Sequence, residues 1–199
     1  MMKTIVIATN NLNKVKEFQS LFGNDLIEFK SLKQIGYDKE IIEDGNTFEE
    51  NAYKKAFQVS HDLNVTAIAD DSGLSCYALN FAPGIYSARY AGTGNDQDNN
   101  DLLIKNLQGK EDRRAFYSCA ISVCHPDGTH LEVLETCEGI IIDEARGKNG
   151  FGYDPYFFIP EFGKTFAEVS LEKKNTISHR AKAIRRVKEL VNEDFSFKW

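Results

Sequence analysis

Two adjacent carboxylates, Asp70 and Asp71, stand where a short apolar run gives way to the turn-forming pair Ser72-Gly73. The run 67–69 is typical of a buried strand, and unpaired charge is too costly to bury, so we expect these carboxylates outside the core. Carboxylates at a strand end suit Mg2+, which takes oxygen ligands and keeps waters for a phosphate substrate. Taken alone, a solvated turn that ends the strand is the simpler interpretation.

A polar turn, Thr9–Lys14, separates the first predicted strand from a helix whose apolar positions begin at Val15. Ligands of α/β sheets lie beyond the carboxyl ends of strands, and a helix N-terminus offers N–H groups to phosphate. Lys14 would add a cation, although a plain asparagine-rich turn is the alternative. The turn is not a Walker loop, because it lacks the glycines, and the Gly-Lys-Thr at 163–165 has no leading glycine.

A second group of polar residues surrounds the start of the next predicted helix. Thr47 and Glu50 have the spacing of a capping box, which predicts that the helix begins after Thr47. Asn51 and Lys55 then share one helical face. Glu43 lies in the acidic loop upstream and is a candidate to complete a metal shell begun by the adjacent aspartates. A solvated helix face and a solvated loop are the alternatives.

Two further segments are candidates for binding a flat heterocycle. The run Phe151-Gly152-Tyr153-Asp154 ends a glycine-containing loop. Its ring could stack on a base while its carboxylate accepts the N–H of that base; a flexible connection with a core aromatic is the alternative. Ser178 is predicted to cap the last helix, and His179 and Arg180 in its first turn oppose the helix dipole. That mild cost favours a position facing a ligand.

The composition is that of an ordinary globular protein with one core. With 199 residues, 42% of them apolar and 27% charged, we predict a single domain over residues 1–199. No apolar run approaches the ~20 residues that span a bilayer, and no signal-peptide pattern opens the chain. The net charge of −6 argues against nucleic acid as a partner. Four cysteines without a C-x-x-C pair favour buried thiols in a reducing cytoplasm.

Strand-like and helix-like segments alternate in the first half, and two long strands follow. The predicted order is strand Lys3–Thr9, a helix through Phe22, a strand after residue 25, a helix from Thr47 to about Leu63, strand Thr66–Asp70, helix Asp98–Leu107, strands Arg114–Cys124 and His130–Ile142 joined by a turn at 126–128, strand Pro155–Ile159, and a final helix after Ser178. This order predicts an α/β fold with a long mixed β-sheet flanked by helices.

Six segments stand in a characteristic order along the chain: Thr9–Lys14, Thr47–Ala52, Ala69–Leu74, Pro83–Tyr90, Gly150–Pro155 and Ile177–Arg180. Their residues and their order closely resemble the motifs of the inosine triphosphate pyrophosphatase family, the Ham1-type enzymes that hydrolyse deaminated purine nucleotides. The resemblance extends from Thr4 to about Leu190. Where the family has Gly-Gly before a Pro-Gly pair, this chain has Phe81-Ala82. Where it has two glutamates, Ile42 precedes Glu43 here.

The resemblance implies two lobes with a deep active-site cleft, a homodimer, and Mg2+-dependent hydrolysis of dITP, ITP or XTP to monophosphate and pyrophosphate. It assigns Asp71 as metal ligand and general base, with Asp70 or Glu43 beside it. The implied substrate-binding residues are Thr9, Asn10, Asn11, Leu12, Asn13 and Lys14 for phosphate, Lys55 and Ser72 for the nucleotide, and Phe151, Gly152, Tyr153, Asp154, Lys174, His179 and Arg180 around the base.

Two rival hypotheses remain at this point. A pyrophosphatase of the Maf type would share the reaction, but it lacks the Ser-His-Arg and Phe-Gly-Tyr-Asp segments. A catalytically silent nucleotide-binding module is the other, and the intact Asp70, Asp71 and Lys55 argue against it.

Overall fold

The computed structural model describes residues 3–22 and 27–193, and its strands form one mixed sheet. They are β1 Lys3–Ile7, β2 Ile27–Ser31, β3 Ala67–Cys76, β4 Arg114–Cys124, β5 His130–Ile141, β6 Phe157–Ile159 and β7 Lys164–Thr165. The order across the sheet is β2-β1-β3-β4-β5-β6-β7. β1 is parallel to β2 and β3, whereas β6 is antiparallel to β5 and β7. The predicted α/β fold with a mixed sheet is confirmed.

The helices are α1 Leu12–Phe22, α2 Phe48–Leu63, α3 Asp96–Leu107, α4 Leu171–Lys174 and α5 His179–Glu193. Among the residues that the structure describes, no helix is both long enough and apolar enough to cross a membrane. The described residues form two compact units. The single domain and the deep cleft, which were expected from the sequence, stay predictions.

The first unit contains the described residues up to Asp71, the segment Cys119–Glu135 and the described residues from Ala181 onward. Side chains of a strand alternate between its two faces, and the core of this unit follows that alternation. In β1, Ile5 and Ile7 pack with residues of α1 and α5, whereas Val6 and the next residue after the strand, Ala8, pack with residues of α2. β1 therefore has α1 and α5 on one side and α2 on the other.

The second unit contains Ser72–Ser118 and Thr136–Arg180. Its core combines the end of β3 and the start of β4 with α3 and with the aromatic side chains of the later segments. Tyr117, Phe157 and Phe166 pack with ring centroids 4.6–6.3 Å apart, and Phe157 and Phe166 are completely buried. This aromatic core supports the loop at 147–154.

The predicted end of β3 is wrong. The strand was expected to end at Asp70 and to turn at Ser72-Gly73, but β3 continues to Cys76. The adjacent aspartates therefore lie in mid-strand, and neither a strand end nor a solvated turn describes them. Lysine partners for both carboxylates, described below, make this position possible.

Other boundaries differ less. β4 has the predicted bounds, and α2 ends at Leu63 as predicted. Thr47 caps α2 by accepting from the Glu50 amide at 3.1 Å, but the Glu50 carboxylate accepts from Asn46 and not from Thr47. The capping box is thus half formed. The predicted strand after residue 25 begins at Ile27 in the described chain, and residues 23–26 lie outside it.

Phe81, at a position where the resemblance implies glycine, has a backbone conformation that favours glycine. Its φ is +67°, in the left-handed region, and its side chain is 54% exposed. A bulky residue in that region is uncommon because Cβ crowds the backbone.

Candidate active site

Lys55 is the centre of the first group of predicted site residues. Its ammonium lies 3.0 Å from Glu43 Oε1 and 3.1 Å from Asp71 Oδ1. The Lys55 side chain is 5% exposed, whereas those of Asp71 and Glu43 are 13% and 38% exposed. A buried cation thus joins two carboxylates that retain access to solvent. The structure brings these three predicted residues together.

Burial and charge act against each other on this group. Burial lowers the pKa of Lys55, but the attraction of Asp71 and Glu43 outweighs it, so the pKa lies above its usual value. Burial raises the pKa of the Asp71 carboxyl, and Lys55 only partly offsets this effect. Lys55 is therefore held as a cation, and Asp71 is a stronger base than an exposed aspartate.

Asn51 completes this group, although it was not among the predicted site residues. It is 1% exposed, donates from Nδ2 to Asp71 Oδ2 at 3.2 Å, and accepts from the Gly45 amide at 2.8 Å. A Cβ at Gly45 would lie 2.7 Å from Asn51 Oδ1, so the close approach requires glycine. The available signal was that Asn51 and Lys55 share a face of α2.

Asp70 points away from Asp71 because adjacent side chains of a strand leave on opposite faces. Its carboxylate is buried and lies 3.1 Å from the ammonium of Lys14 on α1. The structure therefore brings Glu43, and not Asp70, to the ammonium that Asp71 contacts. We call Lys14, Glu43, Asn51, Lys55, Asp70 and Asp71 the lysine–carboxylate cluster.

The turn before α1 is largely fixed by its own side chains. Thr9 Oγ1 accepts from the Asn11 amide at 3.1 Å, and Asn11 Oδ1 accepts from the Asn13 amide at 2.9 Å. Asn10 Oδ1 accepts from the Lys33 amide at 3.0 Å. The asparagines thus act partly as turn and cap residues, as the alternative interpretation states. Leu12 begins α1 and is 54% exposed.

A cavity of about 200 Å³ joins this turn to the lysine–carboxylate cluster. It combines lysine side chains with the polar turn and with the carboxylate of Glu43, a lining that suits a charged ligand rather than an apolar one. The lining residues are Ala8, Thr9, Asn10, Lys14, Leu32, Ile41, Glu43 and Lys55.

The donor set of this cluster fits Mg2+. Proteins commonly bind Mg2+ through one or two carboxylates, and substrate phosphates and waters complete the shell. Asp71 and Glu43 are two partly exposed carboxylates that meet at one ammonium. Within residues 3–22 and 27–193, no group of three or more His, Cys, Asp or Glu side chains is arranged to hold a metal. A metal here would depend on the substrate for further ligands.

The second group of predicted residues lies in the second unit, around Asp154. This carboxylate is 2% exposed and accepts at Oδ2 from Lys174 Nζ at 2.8 Å and from the Phe151 amide at 3.1 Å. Its Oδ1 accepts from the Tyr117 hydroxyl at 3.4 Å. A Cβ at Gly150 would lie 2.0 Å from Asp154 Oδ2, so this turn also requires glycine. The carboxylate therefore shapes the loop as well as pairing with Lys174.

Two cations surround the Phe151 ring. Lys174 Nζ lies 5.2 Å from its centroid, and the guanidinium carbon of Arg180 lies 5.7 Å from it. Arg180 also donates to the Ser72 hydroxyl at 3.2 Å. Lys174 and Arg180 are both buried, whereas Phe151 is half-buried. We call Phe151, Asp154, Lys174, His179 and Arg180 the aromatic–cation cluster.

The remaining predicted residues of the second unit have structural contacts. His179 stacks on Tyr117 with centroids 4.6 Å apart and an interplanar angle of 12°. Tyr153 is buried and donates its hydroxyl to the carbonyl of Ser87 at 2.7 Å. Burial raises the pKa of Tyr153. Gly152 has φ +61° and connects Phe151 to this buried segment.

Comparisons with known proteins match nearly the whole chain. The model of the Ham1 family matches residues 5–190. A dITP/XTP pyrophosphatase of Desulfotalea psychrophila is 53% identical over 189 residues, which are 94% of this chain and 85% of that protein. A dITP/XTP pyrophosphatase of Bacillus anthracis is 47% identical over 199 residues, 98% of each chain.

Solved structures give the same result. The Ham1 protein of Staphylococcus aureus superposes with a TM-score of 0.86 at 43% identity, over 96% of this chain and 99% of that chain. The HAM1 protein of Coxiella burnetii gives a TM-score of 0.88 at 37% identity, over 98% of this chain and 100% of that chain.

The buried pair of Lys174 and Asp154 generates a stability prediction. Lys174→Met leaves a buried carboxylate without its ammonium, so the free energy of unfolding should fall by about 3–5 kcal/mol. Urea denaturation measures the change. Lys173→Met removes a neighbouring exposed lysine that lies over the Phe162 ring, and should cost about 1 kcal/mol or less. Equal losses in the two variants would contradict the prediction.

Proposed function

Because the chain belongs to the Ham1 family, it is a nucleoside triphosphate pyrophosphatase, and we propose that it hydrolyses the deaminated purine nucleotides dITP, XTP and ITP to monophosphate and pyrophosphate. The observation that carries this proposal is the cavity in the first unit, where Lys14, Lys55 and Glu43 line one space. A cytoplasmic homodimer is part of the same proposal.

The lysine–carboxylate cluster suits the triphosphate. Lys14 and Lys55 supply two cations at one cavity, and the raised pKa of Lys55 keeps it charged at neutral pH. Both ammonium groups already lie within 3.1 Å of carboxylates, so their positions are set before a ligand binds. Cations that are fixed in advance stabilise the charge that develops on departing pyrophosphate.

We propose Asp71 and Glu43 as the residues that hold Mg2+. When bound there, the ion would neutralise the triphosphate and lower the pKa of the attacking water. Asp71 is the proposed general base for that water. Its raised pKa supports this role, because a base works best when its pKa lies nearer the working pH. Asn51 fixes the second oxygen of Asp71 and so limits how the carboxylate can turn.

The aromatic–cation cluster suits a 6-oxopurine. Hypoxanthine and xanthine have an oxygen acceptor at position 6 and an N1–H donor, whereas adenine has the reverse pattern. Arg180 and Lys174 are buried donors beside the Phe151 ring. A carboxylate accepts about four hydrogen bonds, and Asp154 accepts three from its own chain, which leaves capacity for a base N–H. These groups support selection for the 6-oxo base.

The products test the proposed reaction. With dITP and Mg2+, we expect dIMP and pyrophosphate, because the proposal places attack at the α-phosphorus. Anion-exchange chromatography separates dIMP from dIDP, and a coupled assay detects pyrophosphate. A reaction with excess EDTA is the control for the metal and should show no turnover. The appearance of dIDP and orthophosphate would contradict the proposal.

The role of Asp71 predicts a loss of turnover without a loss of folding. Asp71→Asn should lower kcat by roughly 10²–10⁴-fold, the usual scale for removal of a general base. Its thermal unfolding should stay close to wild type, since burial disfavours the charged form of Asp71 and Lys55 keeps Glu43 as a partner at 3.0 Å. Asp44→Asn is the matched control, because Asp44 is exposed and pairs with Lys54 instead of Lys55. Near-normal kcat in Asp71→Asn would contradict the proposed role and transfer it to Glu43, the other carboxylate at the Lys55 ammonium.

Base selection is tested by comparing two cationic residues. Arg180→Ala should lower kcat/KM for ITP much more than for ATP, since adenine gains nothing from a donor at position 6. A site built to hydrogen-bond a group can reject an analogue without that group by roughly 10⁴-fold. The ratio of kcat/KM for ITP to kcat/KM for ATP should therefore fall strongly in Arg180→Ala. Lys55→Ala, aimed at phosphate, should weaken both substrates alike. If Arg180→Ala lowers both equally, Arg180 does not select the base.

A further inference from the structure

The Phe151 ring lies on a loop that contains two glycines in the left-handed region. Gly150 and Gly152 have φ of +74° and +61°, and they flank Phe151 directly. A Cβ at Gly152 would meet no atom within 4 Å, so Gly152 is required for its backbone conformation and not for lack of space. Glycine adopts many conformations, and a ring between two glycines keeps one position only if other groups hold its backbone.

Side chains from the start of α3 hold that backbone. Asp96 Oδ2 accepts from the Gly152 amide at 2.8 Å, and Asn100 Nδ2 donates to the Gly152 carbonyl at 3.0 Å. Both backbone polar groups of the residue after Phe151 are therefore bound to one helix. Because the Phe151 amide donates to Asp154, the ring is attached to the protein on both sides.

The two α3 side chains are themselves well placed to act as a fixed support. Asn100 is 4% exposed, and its Nδ2 also donates to the Asp96 carbonyl at 2.8 Å. Asn95 caps the helix by accepting from the amides of Gln97 and Asp98. Asp96 lies in the first turn of α3, where the helix dipole favours a carboxylate, and hydrogen bonds from backbone amides to carboxylates are stronger than those between neutral groups. The support consists of a capped helix rather than of another loop.

We propose that Asp96 and Asn100 are positioning residues that fix the Phe151 ring and thereby set the selectivity for the base. Neither was among the residues predicted from the sequence, and the inference rests on the proposed function. The Gly152 contacts hold the loop so that the Phe151 ring lies beside Lys174 and Arg180, where it can stack on a base. Loss of either contact should allow the ring to move, with little effect on the lysine–carboxylate cluster.

The test compares four variants at the start of α3. Asp96→Ala removes the acceptor, Asn100→Leu removes the donor, and Asp96→Asn keeps an acceptor for the Gly152 amide. Asp98→Ala is the matched control, since Asp98 lies in the same first turn, affects the dipole equally and accepts from the exposed Thr93 hydroxyl at 2.6 Å. The ratio of kcat/KM for dITP to that for dATP is measured in each.

We expect the dITP/dATP ratio to narrow about tenfold or more in Asp96→Ala and Asn100→Leu, since a misplacement of about 1 Å can cost about 10²-fold in rate. Asp96→Asn and Asp98→Ala should keep the wild-type ratio. Inhibition by pyrophosphate, which reports on the phosphate end alone, should be unchanged in all four variants. A merely structural role would lower activity towards both substrates and leave the ratio constant.

Hydrogen exchange gives a readout that does not depend on activity. In Asp96→Ala, a peptide covering residues 147–156 should exchange faster, while peptides of α2 exchange as in the wild type. An unchanged ratio in Asp96→Ala, or a ratio in Asp96→Asn that falls as far as in Asp96→Ala, would overturn the inference. Asp96 is exposed, so this arm decides the question even if Asn100→Leu does not fold. If the wild-type protein has no activity on dITP but Asp96→Ala shows the faster exchange of residues 147–156, the proposed function is overturned and the positioning of the loop is not.

Discussion

The alternation of side chains along β3 is the constraint on which the first unit depends. Two consecutive aspartates in the middle of a strand must leave on opposite faces, and each enters a layer of helices where an uncompensated charge would be costly. The chain meets this constraint with one lysine from each layer, Lys14 of α1 for Asp70 and Lys55 of α2 for Asp71. The cavity lies where these two lysines approach the polar turn after β1. Charge compensation inside the fold thus produces a site that is rich in cations in an acidic protein.

Sequence reasoning located the elements with strong local signals and missed those that depend on tertiary pairing. The apolar pattern and turn residues gave β4 and the cap of α2 correctly, because those signals are local. The continuation of β3 through Asp70 and Asp71 was missed, since aspartate is a poor strand former and only its partners in space permit it there. The short helix α4 was missed as well, because four residues carry too little periodicity.

The same distinction separates the site residues. Glu43 was predicted to complete a metal shell begun by the adjacent aspartates, and Lys55 was predicted separately. The structure adds that Glu43 and Asp71 meet at the Lys55 ammonium. For Asn51 the sequence offered only its shared helical face with Lys55. Asp96 and Asn100 contact the backbone of Gly152, a contact that no local pattern announces, because aspartate and asparagine are common near helix starts for capping alone. The buried pairing of Lys174 with Asp154 likewise joins segments twenty residues apart and required the folded chain.

The contact between Gly45 and Asn51 limits how this protein can diverge. The Gly45 amide donates to the carboxamide of Asn51, six residues later in the chain. Neighbouring atoms of Glu50 and Asn51 leave no room for a side chain at Gly45. The spacer from the loop to the helix is therefore fixed in length, since an inserted or deleted residue would move the carboxamide away from Asp71. Upstream, residues 38–40 are exposed, and their contacts with α2, Lys39 with Asp62 and the Glu40 carbonyl with Gln58, do not involve Asn51. Among related sequences, insertions and deletions should therefore occur at residues 38–40, whereas the segment from Gly45 to Asn51 should keep its length.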